Sequence, residues 1–141
     1  MNERESALEA MAALVGEWTM ESPRFPGFRG RMKIERIEDG AYLAIRDVGD
    51  SDFPSSTWFV GGDDASSECA AHYSDSRGVR RVYRMTIVDG VWTIWRSAPE
   101  FNQRFTRRLQ GGGRTIVGKW EMSADGQQWS KDFDLVYRRV V

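Results

Sequence analysis

The chain has 141 residues, of which 40% are hydrophobic and 29% are charged, and its formal net charge is −1. This length suits one domain, and we expect folding to bury roughly 68 to 70% of the extended-chain surface. We therefore predict that residues 1–141 form a single domain that needs no disulfide or metal to fold. The single cysteine, Cys69, excludes an intramolecular disulfide and a cysteine-rich zinc site, so a reducing compartment is the default.

The sequence shows no signal for insertion into a membrane or for export. No apolar run approaches the roughly 20 residues that span a bilayer. The N-terminal sequence MNERESALEA begins with charges and never builds the apolar stretch of a signal peptide. We therefore expect a soluble, cytoplasmic protein with no membrane partner.

The charge is unevenly distributed along the chain. Up to Asp75 there are 7 basic and 15 acidic residues, whereas residues 77–114 contain 9 arginines against two acidic residues. A basic segment of this kind could bind nucleic acid through the phosphates. Alternating arginines such as Arg80 and Arg84 instead suit the solvated face of a strand, and the aromatic stacking signature of an RNA-binding sheet is missing. We therefore expect no nucleic-acid partner.

The first part of the chain predicts one short amphipathic helix. Ser6 and Glu9 have the spacing of a capping box, and apolar residues recur at helical spacing between positions 8 and 15. Gly16 ends this helix. From there onward the hydrophobic pattern changes to a period of two, which is typical of strands.

Short alternating runs separated by turn signals fill the rest of the chain. Three of the turns contain Asp-Gly, at 39–40, 89–90 and 125–126. This dipeptide is a strong hairpin signal because both residues tolerate positive φ. The predicted strands are Glu17–Ser22, Arg29–Glu38, Ala41–Val48, Ser56–Gly61, Glu68–Ser74, Val79–Val88, Val91–Ser97, Asn102–Leu109, Thr115–Ser123 and Gln128–Arg139.

About ten hairpin-linked strands predict an all-β fold, an antiparallel up-and-down barrel with one short N-terminal helix. We expect a closed barrel and not an open sheet, because closure removes the exposed strand edges that promote aggregation. An immunoglobulin-like sandwich is the alternative, although its usual strand count is seven to nine and its crossings need longer connections.

Alternation also predicts which side chains line the barrel interior, because one face of each strand must point inward. In the last three predicted strands the apolar face is clear and the opposite face is charged. The residues predicted to point inward there are Phe101, Gln103, Phe105, Leu109, Ile116, Gly118, Trp120, Met122, Trp129, Phe133, Leu135 and Tyr137.

A few polar side chains share these inward positions and are the candidate ligand-binding residues. They are Arg81, Tyr83, Gln103 and Tyr137, together with Tyr73 and Arg96 where the inward face is less certain from the pattern. A buried polar group costs roughly 1 to 3 kcal/mol unless it is paired. Two interpretations stay open: these groups bond one another inside a filled barrel, or they line a cavity for a small ligand.

The segment Gly16-Glu17-Trp18, placed directly after the predicted helix, resembles the Gly-x-Trp signature of the calycin superfamily. That superfamily comprises lipocalins, fatty-acid-binding proteins and nitrobindin-like haem barrels, and the best match is to small bacterial lipocalin-like barrels. The resemblance implies that Trp18 closes one barrel end under a C-terminal arginine, Arg138 or Arg139, in a cation–π contact. It implies structural roles for Gly16 and Trp18, with Trp120 and Trp129 as further core tryptophans, and it transfers no catalytic residue.

These observations lead to one functional hypothesis and two alternatives. We expect the barrel to bind a small apolar or amphipathic molecule in its interior, without a cofactor or metal. One alternative is a haem-binding barrel that uses the single histidine, His72. The other is a filled barrel that acts through its surface as an interaction module. No nucleophile elbow or triad supports a catalytic residue, and the ligand and oligomeric state stay open.

Overall fold

The computed structural model describes residues 9–49, 53–63 and 66–140. The described chain is all-β and forms a closed barrel of ten antiparallel strands, which confirms the predicted fold class. The strands are β1 Gly16–Glu21, β2 Gly30–Ile37, β3 Tyr42–Val48, β4 Ser56–Asp63, β5 Ser66–Asp75, β6 Arg80–Val88, β7 Val91–Arg96, β8 Asn102–Gln110, β9 Thr115–Ser123 and β10 Ser130–Arg139.

Each strand pairs with the next one along the chain, and β1 pairs with β10 to close the barrel. In the closing register, Trp18 lies opposite Arg139 and Met20 lies opposite Tyr137. Pairing on both sides satisfies the backbone groups that an open sheet would leave exposed at its edges. The single layer of strands is therefore stable without a second sheet.

A short N-terminal helix covers one end of the barrel. Residues 9–12 are helical, and the predicted cap Ser6 lies outside the described residues. Met11 and Leu14 are buried in the same core cluster as Trp18. We call this the closed end, and we call the opposite end, where β1 ends and β2 begins, the open end. None of the helical segments in the described ranges is long and apolar enough to cross a bilayer.

The Asp-Gly turns join strands where the sequence predicts hairpins. Asp89 and Gly90 have φ values of 52° and 76°, and Asp39 also has positive φ, at 56°. At the third turn, Oδ1 of Asp125 accepts hydrogen bonds from two backbone amides at 2.8 and 2.9 Å. The local chemistry of these turns therefore matches the role that the sequence assigns to them.

Most of the predicted inward aromatic residues lie in or against one core. Trp18 and Tyr137 are fully buried, and Trp120 and Phe133 are partly buried and pack against the same cluster. These residues come from β1, β9 and β10, which are neighbours in the barrel. The core is therefore continuous across the pairing of β1 with β10 that closes the barrel.

Trp129 differs from the sequence prediction, which placed it in the core. A β-bulge between Lys131 and Phe133 inserts one extra residue into β10. The bulge reverses the alternation, so residues before it have the opposite orientation from that expected. Trp129 accordingly lies on the outer wall, where the guanidinium of Arg104 stacks 4.2 Å from its ring centroid.

Candidate ligand-binding cavity

The barrel interior contains a cavity of about 440 Å³ toward the open end. This volume falls within the roughly 300 to 1,000 Å³ that is usual for small-molecule sites. Five of the six polar residues that the sequence singles out line it, namely Arg81, Tyr83, Gln103, Tyr137 and Tyr73. The barrel is therefore hollow at the position where these side chains converge.

Gln103 links two of these residues into a hydrogen-bonded group. Its Oε1 accepts one bond from Nη1 of Arg81 at 3.1 Å and another from the hydroxyl of Tyr83 at 2.8 Å. Burial raises the pKa of Tyr83, although the nearby arginines oppose the shift, so the phenol stays a proton donor. The two interpretations from the sequence are thus compatible, because these groups bond one another and still line a cavity.

Tyr73 is held by a separate cluster at the rim. Its hydroxyl donates to Oδ2 of Asp75 at 2.7 Å, and the same oxygen accepts a bond from Arg77 at 2.6 Å. Burial, and then the hydrogen bond to Asp75, raise the pKa of Tyr73. Arg96, the sixth candidate, lines a groove on the outside of the barrel instead of the interior cavity.

The cavity also contains an arginine that the sequence reasoning missed. Arg107 is only 2% exposed and lines the cavity, and its Nε and Nη1 have no hydrogen-bond partner among the described residues. The signal was available, because Arg107 shares the inward alternation of Gln103 and Phe105 in β8. A charged residue at an inward position is easily assigned to the solvent face, because a buried charge is costly unless it is paired.

Three aromatic rings hold the Arg107 guanidinium. Its central carbon lies 4.1 Å from the ring centroid of Trp92, 4.2 Å from that of Phe105 and 5.0 Å from that of Tyr137. Such desolvated cation–π contacts stabilise by about 2 kcal/mol or more. Gly118 makes room, because a Cβ atom there would lie 3.1 Å from Cγ of Arg107 and closer still to the Phe105 ring. The stacking thus fixes the position of the guanidinium and leaves its Nε and Nη1 donors without partners.

Asp47 in β3 contributes the other unpaired polar atom of the cavity lining. Its Oδ2 accepts a hydrogen bond from Ser56 at 3.1 Å, whereas Oδ1 is buried without a partner among the described residues. Burial raises the pKa of Asp47, while the charge of Arg107 and hydrogen bonds from Ser56 and Trp58 oppose the rise. The cavity therefore offers free donors at Arg107, and Asp47 is the buried carboxyl whose charge acts on them.

His72 does not reach this cavity. It is exposed on the outer wall, where β5 places it opposite Phe59 of β4 and Val82 of β6. A haem bound inside the barrel through His72 is incompatible with this placement. Within the described ranges, no group of three or more His, Cys, Asp or Glu side chains is arranged to hold a metal ion.

A second arginine and aromatic contact lies at the closed end. The Arg139 guanidinium lies 4.3 Å from the Trp18 ring centroid and donates to three backbone carbonyls at 2.8 to 3.3 Å. The Trp18 indole N–H donates to the Leu14 carbonyl at 3.0 Å. Gly16 has φ of 141°, and a Cβ atom there would lie 2.8 Å from Nη1 of Arg139. Of the two arginines that the resemblance suggested, Arg139 therefore makes the contact.

The fold and the site together define a closed antiparallel β-barrel with a polar-lined interior cavity. A protein of Mycobacterium tuberculosis, Rv2717c, has a similar structure, with a TM-score of 0.69 at 15% sequence identity. The similarity covers 96% of this chain and 98% of that protein. Neither models of protein families nor curated protein sequences match the chain. At this identity the comparison supports the barrel fold and carries no function with it.

Proposed function

We propose that the barrel binds one small amphipathic anion in its interior cavity, with the acidic or electron-rich group of the ligand at Arg107. The observation that carries this proposal is the buried guanidinium of Arg107, whose Nε and Nη1 lack partners while the side chain lines an empty volume of about 440 Å³. Buried donors without partners cost about 1 to 3 kcal/mol, and more when they are charged. A ligand oxygen at this position removes that cost.

The charges of the lining favour an anion. Arg81 and Arg107 contribute two positive charges to the wall, and Asp47 contributes one negative charge whose pKa burial raises. The other two arginines of the lining, Arg24 and Arg77, are paired with Asp132 and Asp75. The hydrogen bond of Arg81 is to the neutral amide of Gln103. An anionic group in the cavity therefore compensates charge that the described side chains leave unbalanced.

The walls favour a flat, ring-containing apolar part. Trp58 contacts Tyr73 and Tyr83 with ring centroids 4.7 and 5.1 Å apart, and Tyr83 contacts Trp120 at 6.1 Å. Aromatic walls stack well on planar ligands. The volume equals that of about 15 water molecules at liquid density, which suits a ligand of one or two rings.

The closed end supports a calycin-like interpretation of the barrel. Trp18 under Arg139 is the arrangement that the resemblance in the sequence implies, and the structure adds that Gly16 beside it has positive φ. We extend the interpretation to the interior, which we propose as the ligand site of a lipocalin-like protein. The Arg107 site supplies the ligand chemistry, because the resemblance transfers no binding residue.

The test uses 1-anilinonaphthalene-8-sulfonate, a two-ring probe with a permanent anionic group and fluorescence that rises in apolar surroundings. We expect the native protein to bind one molecule and Arg107→Met to weaken binding at least tenfold, equivalent to about 1.4 kcal/mol. Arg107→Lys, which keeps the charge, should retain part of the affinity. Arg108→Met is the matched control, because Arg108 is the next residue and is exposed on the outer wall.

Two results would contradict the proposal. One is the absence of stoichiometric binding to the folded native protein. The other is equal affinity in the native protein, Arg107→Met and Arg108→Met, because the probe would then bind somewhere other than the cavity. Circular dichroism of each variant establishes that the fold is kept.

A further inference from the structure

The hydrogen-bonded ladder between β6 and β7 stops short of one end of β6, and we call the gap in this ladder the opening. Pairing between these strands ends at Arg84 and Trp95, although β6 continues to Arg80 and β7 continues to Arg96. A groove of about 790 Å³ lies on the outside at this position. The wall is therefore interrupted where these strand segments lack a mutual ladder.

The groove reaches side chains that belong to the inner face of the wall. Tyr73 and Arg81 follow the inward alternation of β5 and β6, and Arg96 follows that of Trp92 in β7, yet all three line the outer groove. Tyr73 and Arg81 also line the interior cavity. The same two side chains therefore separate the outside groove from the inside cavity.

Unpaired positive charge surrounds this opening. Arg84 forms an ion pair with Glu68 at 2.9 Å, whereas Arg80, Arg81 and Arg96 form no ion pair with any other residue in the described ranges. A cleft lined by charges of one sign raises the local concentration of oppositely charged ligands and their association rate. The groove is thus suited to collect anions.

The open end of the barrel differs from this opening in its charge and in the side chains that cover it. Arg24 is paired with Asp132 at 3.3 Å, and Arg77 is paired with Asp75. Phe25 packs over the cavity against Phe53 and Phe133, with ring centroids 5.2 and 6.0 Å away. Arginine charge at that end is largely compensated, and an aromatic cluster lies in the path.

We propose that the opening between β6 and β7 is a docking site for the anionic group and the entrance to the cavity, with Arg81 as the side chain that moves. This inference rests on the proposed function. Arg81 is held by one bond to the neutral Gln103 and by a contact of 5.4 Å to the Phe101 ring. Tyr73, which lies opposite Arg81 on the neighbouring strand β5, is by contrast fixed by the charged pair of Asp75 and Arg77. An incoming anion offers Arg81 a stronger partner than Gln103 does.

Stopped-flow fluorescence with the same anilinonaphthalene sulfonate probe tests the route. Arg81→Lys keeps the positive charge but shortens the side chain between groove and cavity and loses the stacking on Phe101, so both the association and the dissociation rate constants should rise several-fold. Phe25→Ala is the matched variant at the open end, and both of its rate constants should stay within twofold of the native values. If the open-end variant raised both rate constants and the Arg81 variant did not, the entrance would lie at the open end instead.

A second arm tests the charge. Arg80→Gln/Arg96→Gln should lower the association rate constant several-fold and reduce its dependence on salt, with little change in dissociation. The matched pair Arg24→Gln/Arg29→Gln, which neutralises two exposed arginines near the open end, should leave association unchanged. If the two double variants lowered the association rate constant equally, the total charge of the protein would attract the probe. The proposed docking site would then be wrong.

The outcomes separate this inference from the proposed function. If the probe binds in an Arg107-dependent way but its rates respond to the open-end variants, the entrance is wrong and the cavity site stands. If the native protein does not bind the probe, both proposals fail.

Discussion

Two arginines of this barrel stack on aromatic rings, and they differ in how fully their N–H groups are hydrogen-bonded. At the closed end, Arg139 stacks on Trp18 and donates through Nε, Nη1 and Nη2 to backbone carbonyls. In the cavity, Arg107 stacks on Trp92, Phe105 and Tyr137 but has Nε and Nη1 unpartnered among the described residues. The first arrangement is complete without a ligand, whereas the second leaves donors that a ligand can use. Hydrogen-bond satisfaction therefore distinguishes the structural Arg139 from Arg107, for which we propose a ligand.

The largest effect should come from the closed end. Trp18→Ala removes a fully buried side chain and should cost about 3 to 5 kcal/mol in the free energy of unfolding. Trp129→Ala is the matched control on the outer wall, where loss of the Arg104 contact should cost about 0.5 to 1 kcal/mol. Urea denaturation measures both. Equal losses would contradict the different placement of the two tryptophans.

The comparison of the two arginines can be tested directly by substitution with methionine. Arg139→Met loses three charge-assisted hydrogen bonds and should destabilise the barrel by about 2 to 4 kcal/mol. Arg107→Met/Asp47→Asn removes the two opposite buried charges together and should leave stability within about 1 kcal/mol of the native value or raise it. The unfolding midpoints of the two variants measure these changes in stability. A larger loss at Arg107 than at Arg139 would make Arg107 the structural residue.

The smallest effect concerns the pH dependence of binding. Burial raises the pKa of Asp47, so as the pH falls this carboxyl becomes neutral before an ordinary aspartate does. The negative charge near Arg107 then disappears, while the sulfonate of the probe stays ionised. We expect the affinity to rise as the pH falls from neutral toward the ordinary pKa of an aspartate, about 4, and Asp47→Asn to bind more tightly with no such dependence. Fluorescence titration at each pH measures this.

The same shift has a consequence for stability. Because the folded state holds the Asp47 proton more tightly than the unfolded state, Asp47 favours folding at low pH, and this contribution is lost as the pH rises through its folded pKa. Asp47→Asn should therefore be more stable than the native protein at neutral pH, and the difference should shrink on acidification. An unchanged difference across this range would show that Asp47 is not the titrating group.

Local signals were sufficient for most of the fold. The alternation of apolar and polar residues located ten strands to within about two residues at each described end, and Asp-Gly at 39–40 and 89–90 marked hairpins with positive φ. These features depend on neighbours in sequence, because side-chain alternation and turn conformation are properties of a few consecutive residues. The inward positions of Tyr83, Gln103 and Tyr137 followed from the same pattern.

Contacts between distant strands decided the rest. The bulge at Lys131 and Phe133 turned Trp129 outward, which alternation within β10 could not indicate. The free donors of Arg107 depend on what β3, β7 and β10 bring near it, and the opening beside Arg81 depends on where two strands stop pairing. The sequence by itself determined the strands, the hairpins and several of the polar groups that point inward. Only the tertiary structure decided which of them are satisfied, because hydrogen-bond partners and empty volume arise from strands that meet across the barrel.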